Sequence, residues 1–374
     1  MKRLRMLASA TAAAAGVTAL LAGPADATAP HQPERAPVFV QTDDPAGNTV
    51  VAYDRTGSGS LVRAGSYPTG GRGGVLDGSV VDHVASQGSL TYDSGSSLLY
   101  AVNAGSDTIT TFAVHGDRLA RRQVLPSGGS FPVSITAHGS LVYVLNARDG
   151  GSIQGYLRVG GVLVRVPAWH RGLGLDPTQT PEFTSTPGQV VFTPDGGRLL
   201  VTTKGGTSSI DVFRVGAGGP SAPTVTSLPG AVPFSVAFDA AGHVAVAEAG
   251  PNAVATFRLD RAGRLTELDS APTGQAATCW IVSAGGTLYL SNAGSGTVSR
   301  FAVDRRGFLS GLGTTAADAG TVDAAASSDG RFLYVQAGAA GIVDAYRIGA
   351  GGSLTPVGSV TVPGAVGGEG IVAL

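Results

Sequence analysis

The feature that most constrains the fold is a repeat of about 44 residues that runs through the whole 374-residue chain. Each unit contains an apolar strand, a turn of small residues and a second strand that carries an aromatic residue at a fixed place. These aromatic residues are Tyr53, Phe112, Tyr156, Phe213, Phe257, Phe301 and Tyr346. Two of the intervals between them are longer than the rest, by about 15 and 13 residues, which indicates insertions. A period of about 40–45 residues with several strands per unit is typical of a β-propeller.

Alternating apolar residues and turn residues place four strands in each unit. In the second unit they predict strands at Gly88–Tyr92, Leu98–Val102 and Thr108–Val114, and a fourth strand near 121–125. No apolar period of 3.6 residues persists long enough for a core helix. The seven aromatic markers therefore predict an all-β fold, a single seven-bladed β-propeller with four-stranded antiparallel blades.

The two ends of the chain predict how the ring of blades closes. The first unit begins at Val38–Val40 with a second strand and lacks a first strand. The last unit finishes its fourth strand near Val362, yet Gly370–Leu374 follows with the pattern of a first strand. We therefore expect the C-terminal strand to complete the N-terminal blade, because this closure removes two exposed strand edges. The propeller is predicted to span residues 37–374.

The N-terminal residues have the pattern of a secretory signal peptide. A basic stretch at 2–5 precedes an apolar run at 7–21, and the small residues at 25–27 offer a cleavage site. The apolar run is shorter than the roughly 18 residues that indicate a membrane-spanning helix. We expect a secreted bacterial protein with a signal peptide at 1–27, a flexible leader at 28–36 and no membrane span after cleavage.

Charge and cysteine content limit the partners. Without residues 1–27 the chain has 22 basic and 25 acidic residues, a net charge of −3, and its arginines are scattered along the sequence. A nucleic-acid partner is therefore not expected. Cys279 is the sole cysteine, so no intrachain disulfide can form, and its apolar strand favours a buried inert thiol over a nucleophile. We expect a monomer that binds a small molecule, or an extracellular ligand or protein, through its loops.

The two insertions predict where a site lies. Both fall in connections between blades, at Gly71–Gln87 and Trp169–Gln189. In a propeller these connections open on the same face as the turns between second and third strands, and long loops on a rigid scaffold commonly recognise ligands. The insertions carry His83 and His170, which are candidate acid/base groups. Solvated rim loops without a ligand are the alternative.

Alignment of the first strands predicts a ring of side chains near the mouth of the central channel. The equivalent positions are Ser89, Ser134, Gln189, Ser235, Cys279, Asp323 and Gly370. Asp323 is the one ionisable carboxyl of this ring, and an isolated carboxylate there should have a perturbed pKa. We therefore take Asp323 as a candidate catalytic residue, with a carboxylate bonded to loop amides as the alternative. Gln189 and Gln87 are candidate ligand-binding residues.

A second set of polar residues follows the second strands. Asn103, Asn146 and Asn292 recur at one place, and Glu248 takes that place in its own unit. Asn side chains bond local backbone and tolerate left-handed geometry, so a structural role is one interpretation. The functional interpretation is a ring of ligand-binding amides with Glu248 as a general base. Acid and amide oxygens would suit calcium, but no spacing is diagnostic, so we expect no metal site and no cofactor, with calcium as the alternative.

Several segments resemble the seven-bladed propeller family of lactonase type, which includes the propeller 6-phosphogluconolactonases and carboxymuconate-lactonizing enzymes. The matching segments are Leu-Tyr-Ala-Val-Asn-Ala-Gly-Ser (99–106), Gly-Gly-Ser-Phe-Pro-Val-Ser-Ile (128–135), Phe-Thr-Pro-Asp-Gly-Gly-Arg-Leu-Leu-Val (192–201) and Ser-Ser-Asp-Gly-Arg-Phe-Leu-Tyr-Val (327–335). An exported branch of that family is resembled in Pro-Thr-Gly-Gly (68–71), Ala-Ser-Gln-Gly-Ser-Leu (85–90) and Ala-Thr-Cys-Trp (277–280). The resemblance covers essentially the whole mature chain and implies a seven-bladed propeller that acts on a lactone-like substrate.

One departure from that family bears on the chemistry. The cytosolic phosphogluconolactonases resemble one another in a Pro-His-Ala-His-Gln-Val stretch, where this chain has Ser-Thr-Pro-Gly-Gln-Val (185–190). Without that histidine pair, and in an exported protein, 6-phosphogluconolactonase activity is not expected. We expect an exported propeller that hydrolyses a small lactone-like substrate at its loop face. The candidate catalytic residues are Glu248, Asp323, His83 and His170. The alternative is a non-catalytic propeller that binds a ligand, glycan or protein through that face.

Overall fold

The computed structural model of the protein describes residues 36–374 as seven antiparallel sheets, which form the blades of a propeller. The innermost strands of neighbouring blades contact one another around a central channel. The predicted signal peptide and residues 28–35 of the predicted leader lie outside the described residues. Among residues 36–374, no helix is long and apolar enough to cross a membrane.

The strands of blades 1 to 4 follow in chain order, with β29 as the innermost strand of blade 1. Blade 1 contains β1 (Pro37–Gln41), β2 (Thr49–Arg55), β3 (Leu61–Pro68) and β29 (Ile371–Ala373). Blade 2 contains β4 (Leu90–Asp93), β5 (Leu98–Asn103), β6 (Thr108–His115) and β7 (Arg118–Pro126). Blade 3 contains β8 (Pro132–His138), β9 (Leu141–Asn146), β10 (Ser152–Val159) and β11 (Val162–Gly172). Blade 4 contains β12 (Val190–Phe192), β13 (Arg198–Thr202), β14 (Ser209–Gly216), β15 (Gly219–Pro220) and β16 (Thr224–Ser227).

The remaining blades have four strands each. Blade 5 contains β17 (Pro233–Phe238), β18 (Val244–Glu248), β19 (Ala253–Leu259) and β20 (Leu265–Pro272). Blade 6 contains β21 (Thr278–Ala284), β22 (Thr287–Asn292), β23 (Thr297–Val303) and β24 (Leu309–Ala316). Blade 7 contains β25 (Thr321–Ala326), β26 (Phe332–Ala337), β27 (Ile342–Ile348) and β28 (Leu354–Thr361). The helical residues described are α1 (Glu182–Ser185) and two 3-10 turns (Ala104–Ser106 and Ala350–Gly352).

Blade 4 differs from the predicted four strands in its outer edge. Its outermost strand is divided into β15 and β16, which both pair with β14. The segment between them contains Pro223, and Pro220 ends β15. Proline has no N–H group to donate to a neighbouring strand, so an outer edge is where such an interruption costs least.

The ring closes as the ends of the chain predict. β29 pairs antiparallel with β1, placing Val372 opposite Phe39 and Ile371 opposite Val40. Gln41 N also donates to the Gly370 carbonyl at 2.8 Å. The last residues of the chain therefore supply the innermost strand of the first blade.

The aromatic residues that mark the repeat all lie on the third strand of their blade and are at most 6% exposed. The core between blades is apolar, as where Tyr100 and Val102 of blade 2 pack against Val142 and Val144 of blade 3. Burial of such surface stabilises the fold by about 25 cal/mol per Å². The repeat in the sequence thus corresponds to seven blades that pack against one another in a similar way.

Candidate functional site

Both insertions lie on one face of the ring, which we call the mouth face. The first joins β3 to β4, and the second joins β11 to β12 through α1, so both are connections between blades as predicted. Turns between second and third strands lie on the same face, since Gly105 N donates to the Arg72 carbonyl of the first insertion at 3.1 Å. The second insertion begins later than predicted, because β11 continues to Gly172 by pairing with β10. His170 is therefore an exposed residue of that outer strand.

The first insertion covers the mouth of the channel. Its residues 81–87, which we call the strap, reach blades on several sides. Ser86 Oγ donates to the Val133 carbonyl of blade 3 at 2.7 Å, and Trp280 Nε1 of blade 6 donates to the Ser86 carbonyl at 2.7 Å. His83 N donates to the Gly367 carbonyl, just before β29, at 2.8 Å. The chain itself thus occupies the place where the sequence predicted an open mouth.

Gln87 and Gln189 bond to main-chain groups of the innermost strands. Gln87 Nε2 donates to the Ile281 carbonyl and its Oε1 accepts from Ile281 N, both at 2.9 Å. Gln189 Oε1 accepts from Val236 N at 2.6 Å. The inner edge of an innermost strand has no neighbouring strand, so its N–H and C=O groups lack strand partners. The side chains of Gln87 and Gln189 hydrogen-bond some of these groups. Gln87 and Gln189 therefore have internal partners at the positions where ligand contacts were predicted.

Lys204 fastens both insertions to blade 4. Its ammonium group donates to the carbonyls of Ala85 on the strap and Phe183 in α1, at 2.7 and 2.6 Å, and to Thr186 Oγ1 at 3.1 Å. The side chain is 1% exposed, and burial lowers the pKa of Lys204 to about 7. Sequence reasoning did not select this lysine. The sequence feature that could have identified it is that Lys204 is the one lysine within the predicted propeller.

Four buried carboxylates lie at the strap: Asp82 within it, and Asp43, Asp323 and Glu369 beneath it. Asp82 accepts from the amides of Val84, Ala85 and Ser86, at 2.9–3.0 Å. Glu369 Oε1 accepts from Gly88 N at 2.9 Å, and Asp43 Oδ2 accepts from Glu369 N at 2.8 Å. The fourth is Asp323, which is 5% exposed. These contacts give Asp82 and Glu369 a structural role in holding the strap.

Burial raises the pKa of each of these carboxylates. It raises the pKa of Asp43 and of Asp82 to about 7, and that of Asp323 to about 6. The pKa of Glu369 rises well above its usual range, through burial and then through the charges of the other three. Asp323 has the perturbed pKa that the sequence predicts, but it is not isolated, because the Glu369 side chain bonds to it.

The ring of first-strand positions needs one correction. Strands β8, β17 and β21 each contain a bulge near their start, and the register beyond it aligns Ser134, Ser235 and Trp280. Trp280, not Cys279, therefore takes the ring position in blade 6. The extra residue of a bulge is hard to place from sequence, because it shifts the alternation of side chains by one. Burial raises the pKa of the Cys279 thiol to about 12, which favours the inert form.

The predicted ring at the ends of the second strands is present, but its members differ in their contacts. The last residues of β5, β9, β18 and β22 are Asn103, Asn146, Glu248 and Asn292. Each asparagine bonds within its own blade: Asn103 to Thr110 at 2.9 Å, Asn292 to Ser299 at 2.9 Å and Asn146 to Ser152 at 3.5 Å. These bonds favour the structural interpretation of the asparagines.

Glu248 lies in a cleft. Its side chain is 7% exposed and has no hydrogen-bond or ion-pair partner among residues 36–374. Burial raises the pKa of Glu248 to about 7, and the charge of Glu267 on β20 adds to that rise. The cavity of about 430 Å³, which we call the Glu248 cleft, is lined by Ser227, Leu228, Pro229, Gly230, Ala231, Glu248, Pro251 and Glu267. A carboxylate whose pKa is raised towards neutral pH and that lines a cleft is suited to proton transfer.

The other candidate acid/base groups lie outside the Glu248 cleft. Asp323 lies under the strap, His83 is a half-buried strap residue and His170 is on β11. Burial lowers the pKa of His83. Within residues 36–374, no group of three or more His, Cys, Asp or Glu side chains could hold a metal ion. Of the four candidates, the structure therefore places Glu248 alone in that cleft.

A second, smaller cleft lies at the rim. It has a volume of about 170 Å³ and is lined by residues of the turn 147–150 and of the second insertion. Arg148 is bonded to Glu182 at 2.6 and 3.0 Å and lies over the Phe131 ring at 4.2 Å. The bond from Arg148 lowers the pKa of Glu182, and bonds from Thr178 lower that of Asp176. These carboxylates stay charged, which suits recognition of a ligand more than proton transfer.

Comparison with known proteins shows relatives in fold. No protein-family model matches the chain, and no curated protein matches its sequence. A candidate 6-phosphogluconolactonase from Bacteroides fragilis matches with a TM-score of 0.72 and 19% identity, over 92% of this chain and 99% of that one. The periplasmic gluconolactonase of Pseudomonas aeruginosa gives a TM-score of 0.71 and 19% identity, over 91% and 99%.

A lyase also has a related fold. Virginiamycin B lyase from Staphylococcus aureus matches with a TM-score of 0.55 and 14% identity, over 78% of this chain and 89% of that one. The chain therefore has the lactonase-type propeller fold, and proteins with different named activities share its architecture.

Proposed function

We propose that this protein is an exported hydrolase that opens a small, uncharged lactone in the Glu248 cleft. The observation that carries the proposal is that the buried Glu248 carboxylate has no side-chain partner among residues 36–374 and lines a cavity of about 430 Å³. Burial raises its pKa to about 7. The fold supports it, since a structural neighbour is named a periplasmic gluconolactonase.

The charge of the cleft supports an uncharged substrate. Two carboxylates, Glu248 and Glu267, line it, and no lysine, arginine or histidine of residues 36–374 does. In a partly buried site such charges repel a phosphorylated or carboxylated molecule. A neutral lactone would enter without this penalty, and its product, a carboxylate, would be repelled and released.

In the proposed reaction Glu248 acts twice, first as a base and then as an acid. As a carboxylate, Glu248 takes a proton from a water molecule while the water oxygen adds to the lactone carbonyl carbon. The bond between that carbon and the ring oxygen then breaks, and Glu248 returns the proton to the ring oxygen, which leaves as a hydroxyl. Glu267 raises the proton affinity of Glu248 and so favours the first step.

The test compares matched variants of the mature protein with glucono-1,5-lactone as the probe, after subtraction of spontaneous hydrolysis. Glu248→Gln keeps the shape of the side chain but removes the base, and general-base catalysis contributes about 10²–10⁴-fold. We expect a loss of that size. Asp260→Asn, an exposed residue in the same blade on the opposite face, is the control and should keep the wild-type rate. Hydrolysis at the wild-type rate by Glu248→Gln would refute the proposal.

Ligand binding without catalysis is the second candidate function, and the rim cleft favours it. There Arg148 is held rigidly between Glu182 and the Phe131 ring, with charged carboxylates beside it. A fixed guanidinium next to fixed carboxylates can hydrogen-bond a small polar ligand at low entropic cost. Ligand-induced shifts in melting temperature that are lost in Arg148→Gln, with no turnover of any lactone offered, would favour this candidate.

A further inference from the structure

Three arginines from two neighbouring blades lie close to one aromatic ring. The guanidinium carbons of Arg55, Arg331 and Arg347 lie 5.1, 5.2 and 5.1 Å from the centre of the Phe332 ring. No two of these carbons can therefore be more than about 10 Å apart. Phe332 itself is fully buried, so the ring is a fixed platform for the three cations.

The cluster lies on the face opposite the strap, at the junction of blades 7 and 1. Arg55 ends β2, just before the turn to β3, and Arg331 is in the turn between β25 and β26. Arg347 lies near the end of β27, and its Nη2 donates to the Ser58 carbonyl of blade 1 at 3.1 Å. The two blades thus contribute cations to one patch.

The patch has more positive than negative charge. Asp329 is 2.8 Å from Arg55 and 4.0 Å from Arg331. Arg55 also donates to the terminal carboxylate of Leu374 at 3.5 Å. Burial opposes ionisation of Asp329, but bonds from Ser327 and Arg55 outweigh it and lower its pKa to about 2. Two negative charges therefore face three permanent positive charges.

The arginines differ in how far they are satisfied. The Arg55 side chain is 9% exposed and bonds to Asp329 and to the terminal carboxylate of Leu374. The Arg331 side chain is 56% exposed, and its contact with Asp329 is 4.0 Å long. Arg347 is exposed and donates to the neutral Ser58 carbonyl. Arg331 and Arg347 thus retain N–H donors that have no partner among residues 36–374.

We infer that Arg331 and Arg347, supported by Arg55 and Phe332, form a binding site for a phosphate group. Planar guanidinium forks match the oxygens of a phosphate and bind it through paired, charge-assisted hydrogen bonds. Two such forks held over one ring lose little conformational entropy when the anion binds. The site is independent of the proposed hydrolase, because it lies on the other face of the propeller. The phosphate can belong to a free ion or to a lipid headgroup.

The test uses the mature protein with two probes, inorganic phosphate in a calorimeter and vesicles containing phosphatidylglycerol in a sedimentation assay. The variant Arg331→Gln/Arg347→Gln should weaken binding by about tenfold or more, the loss expected for charge-assisted bonds. The control is Arg305→Gln/Arg306→Gln, two exposed arginines in the turn before β24 on the same face, which removes equal charge. Thermal melting of both variants verifies that they are folded.

Each outcome decides the inference. Binding of inorganic phosphate that only the first variant loses supports a site for the free ion. Binding to vesicles that only the first variant loses supports a lipid phosphate. Binding of neither probe by the wild type, or equal losses in the two variants, would overturn the inference.

Discussion

The ammonium nitrogen of Lys204 lies 2.7 Å from the carbonyl oxygen of Ala85, and this bond fixes the strap to the turn that follows β13. The same nitrogen holds α1 through Phe183. A single cation thus ties the two insertions of the mouth face to the rigid blades. Because Asp82 is the nearby charge that most favours ionised Lys204, the strap also supplies the compensating carboxylate.

Replacement of this cation should loosen the mouth face. Lys204→Met keeps most of the volume but removes the donor to the buried Ala85 carbonyl and the part-buried Phe183 carbonyl, and leaves Asp82 without its cation. We expect a loss of about 3–5 kcal/mol in the free energy of unfolding. Chemical denaturation would measure it, and hydrogen exchange should show faster exchange at residues 81–87. Arg171→Met, at the edge of the second insertion, is the control and should change stability by less than about 0.5 kcal/mol. Equal stability of the two variants would contradict the role of Lys204.

The buried carboxylates predict an unusual dependence of stability on pH. The pKa of Asp43 and that of Glu369 are raised by burial, so the folded protein binds more protons than the unfolded chain between about pH 4 and pH 7. Stability from these groups is complete below the unfolded pKa and is lost as the pH rises through the folded pKa. We expect the melting temperature to fall from pH 5 to pH 7.

A matched pair of variants checks the origin of that slope. Glu369→Gln removes the titration of residue 369 but keeps the side-chain oxygen that accepts from Gly88 N. The dependence of the melting temperature on pH should therefore become shallower. Asp149→Asn, on an exposed turn of blade 3, should leave the slope as it is. A wild-type protein whose melting temperature rises from pH 5 to pH 7 would show that other groups dominate.

The last strand predicts a large effect of truncation. Deletion of residues 369–374 removes β29, exposes the edge of β1 and takes away Glu369 from beneath the strap. We expect loss of the cooperative unfolding transition in circular dichroism. Removal of Leu374 alone leaves all three strand pairs of β29 in place and should leave the transition near its wild-type temperature. A truncated protein that melts like its parent would contradict ring closure by β29.

The repeat predicted much of this fold because each blade is specified by the same short-range sequence pattern. Alternating apolar residues, Asp-Gly turns and one aromatic per unit are short-range signals, and they located the blades and the closing strand. Ring positions at the ends of the second strands were also predictable, since Asn103, Asn292 and Glu248 follow strands of the same pattern. Their contacts were not predictable, because Asn103 bonds to Thr110 within its blade while the Glu248 side chain has no partner in the described part of the chain.

Long-range placement accounts for what the sequence could not predict. The strap crosses the mouth because residues such as Ser86 meet groups on blades 3 and 6, which are far away in sequence. The arginines were interpreted as scattered, yet Arg55 and Arg331 converge on Phe332 because closure by β29 brings blade 7 beside blade 1. Such contacts depend on the closed ring and have no signature in any one repeat.

The dependence of kcat/KM on pH for lactone hydrolysis, measured with the wild type and Glu267→Gln, tests the assignment of catalysis to Glu248 most directly. For the wild type, the account predicts that the rate rises with pH through an apparent pKa near 7, because the base must be unprotonated. In Glu267→Gln that apparent pKa should fall, since burial still raises it but the neighbouring charge no longer does. An apparent pKa that is the same in both proteins would contradict the account.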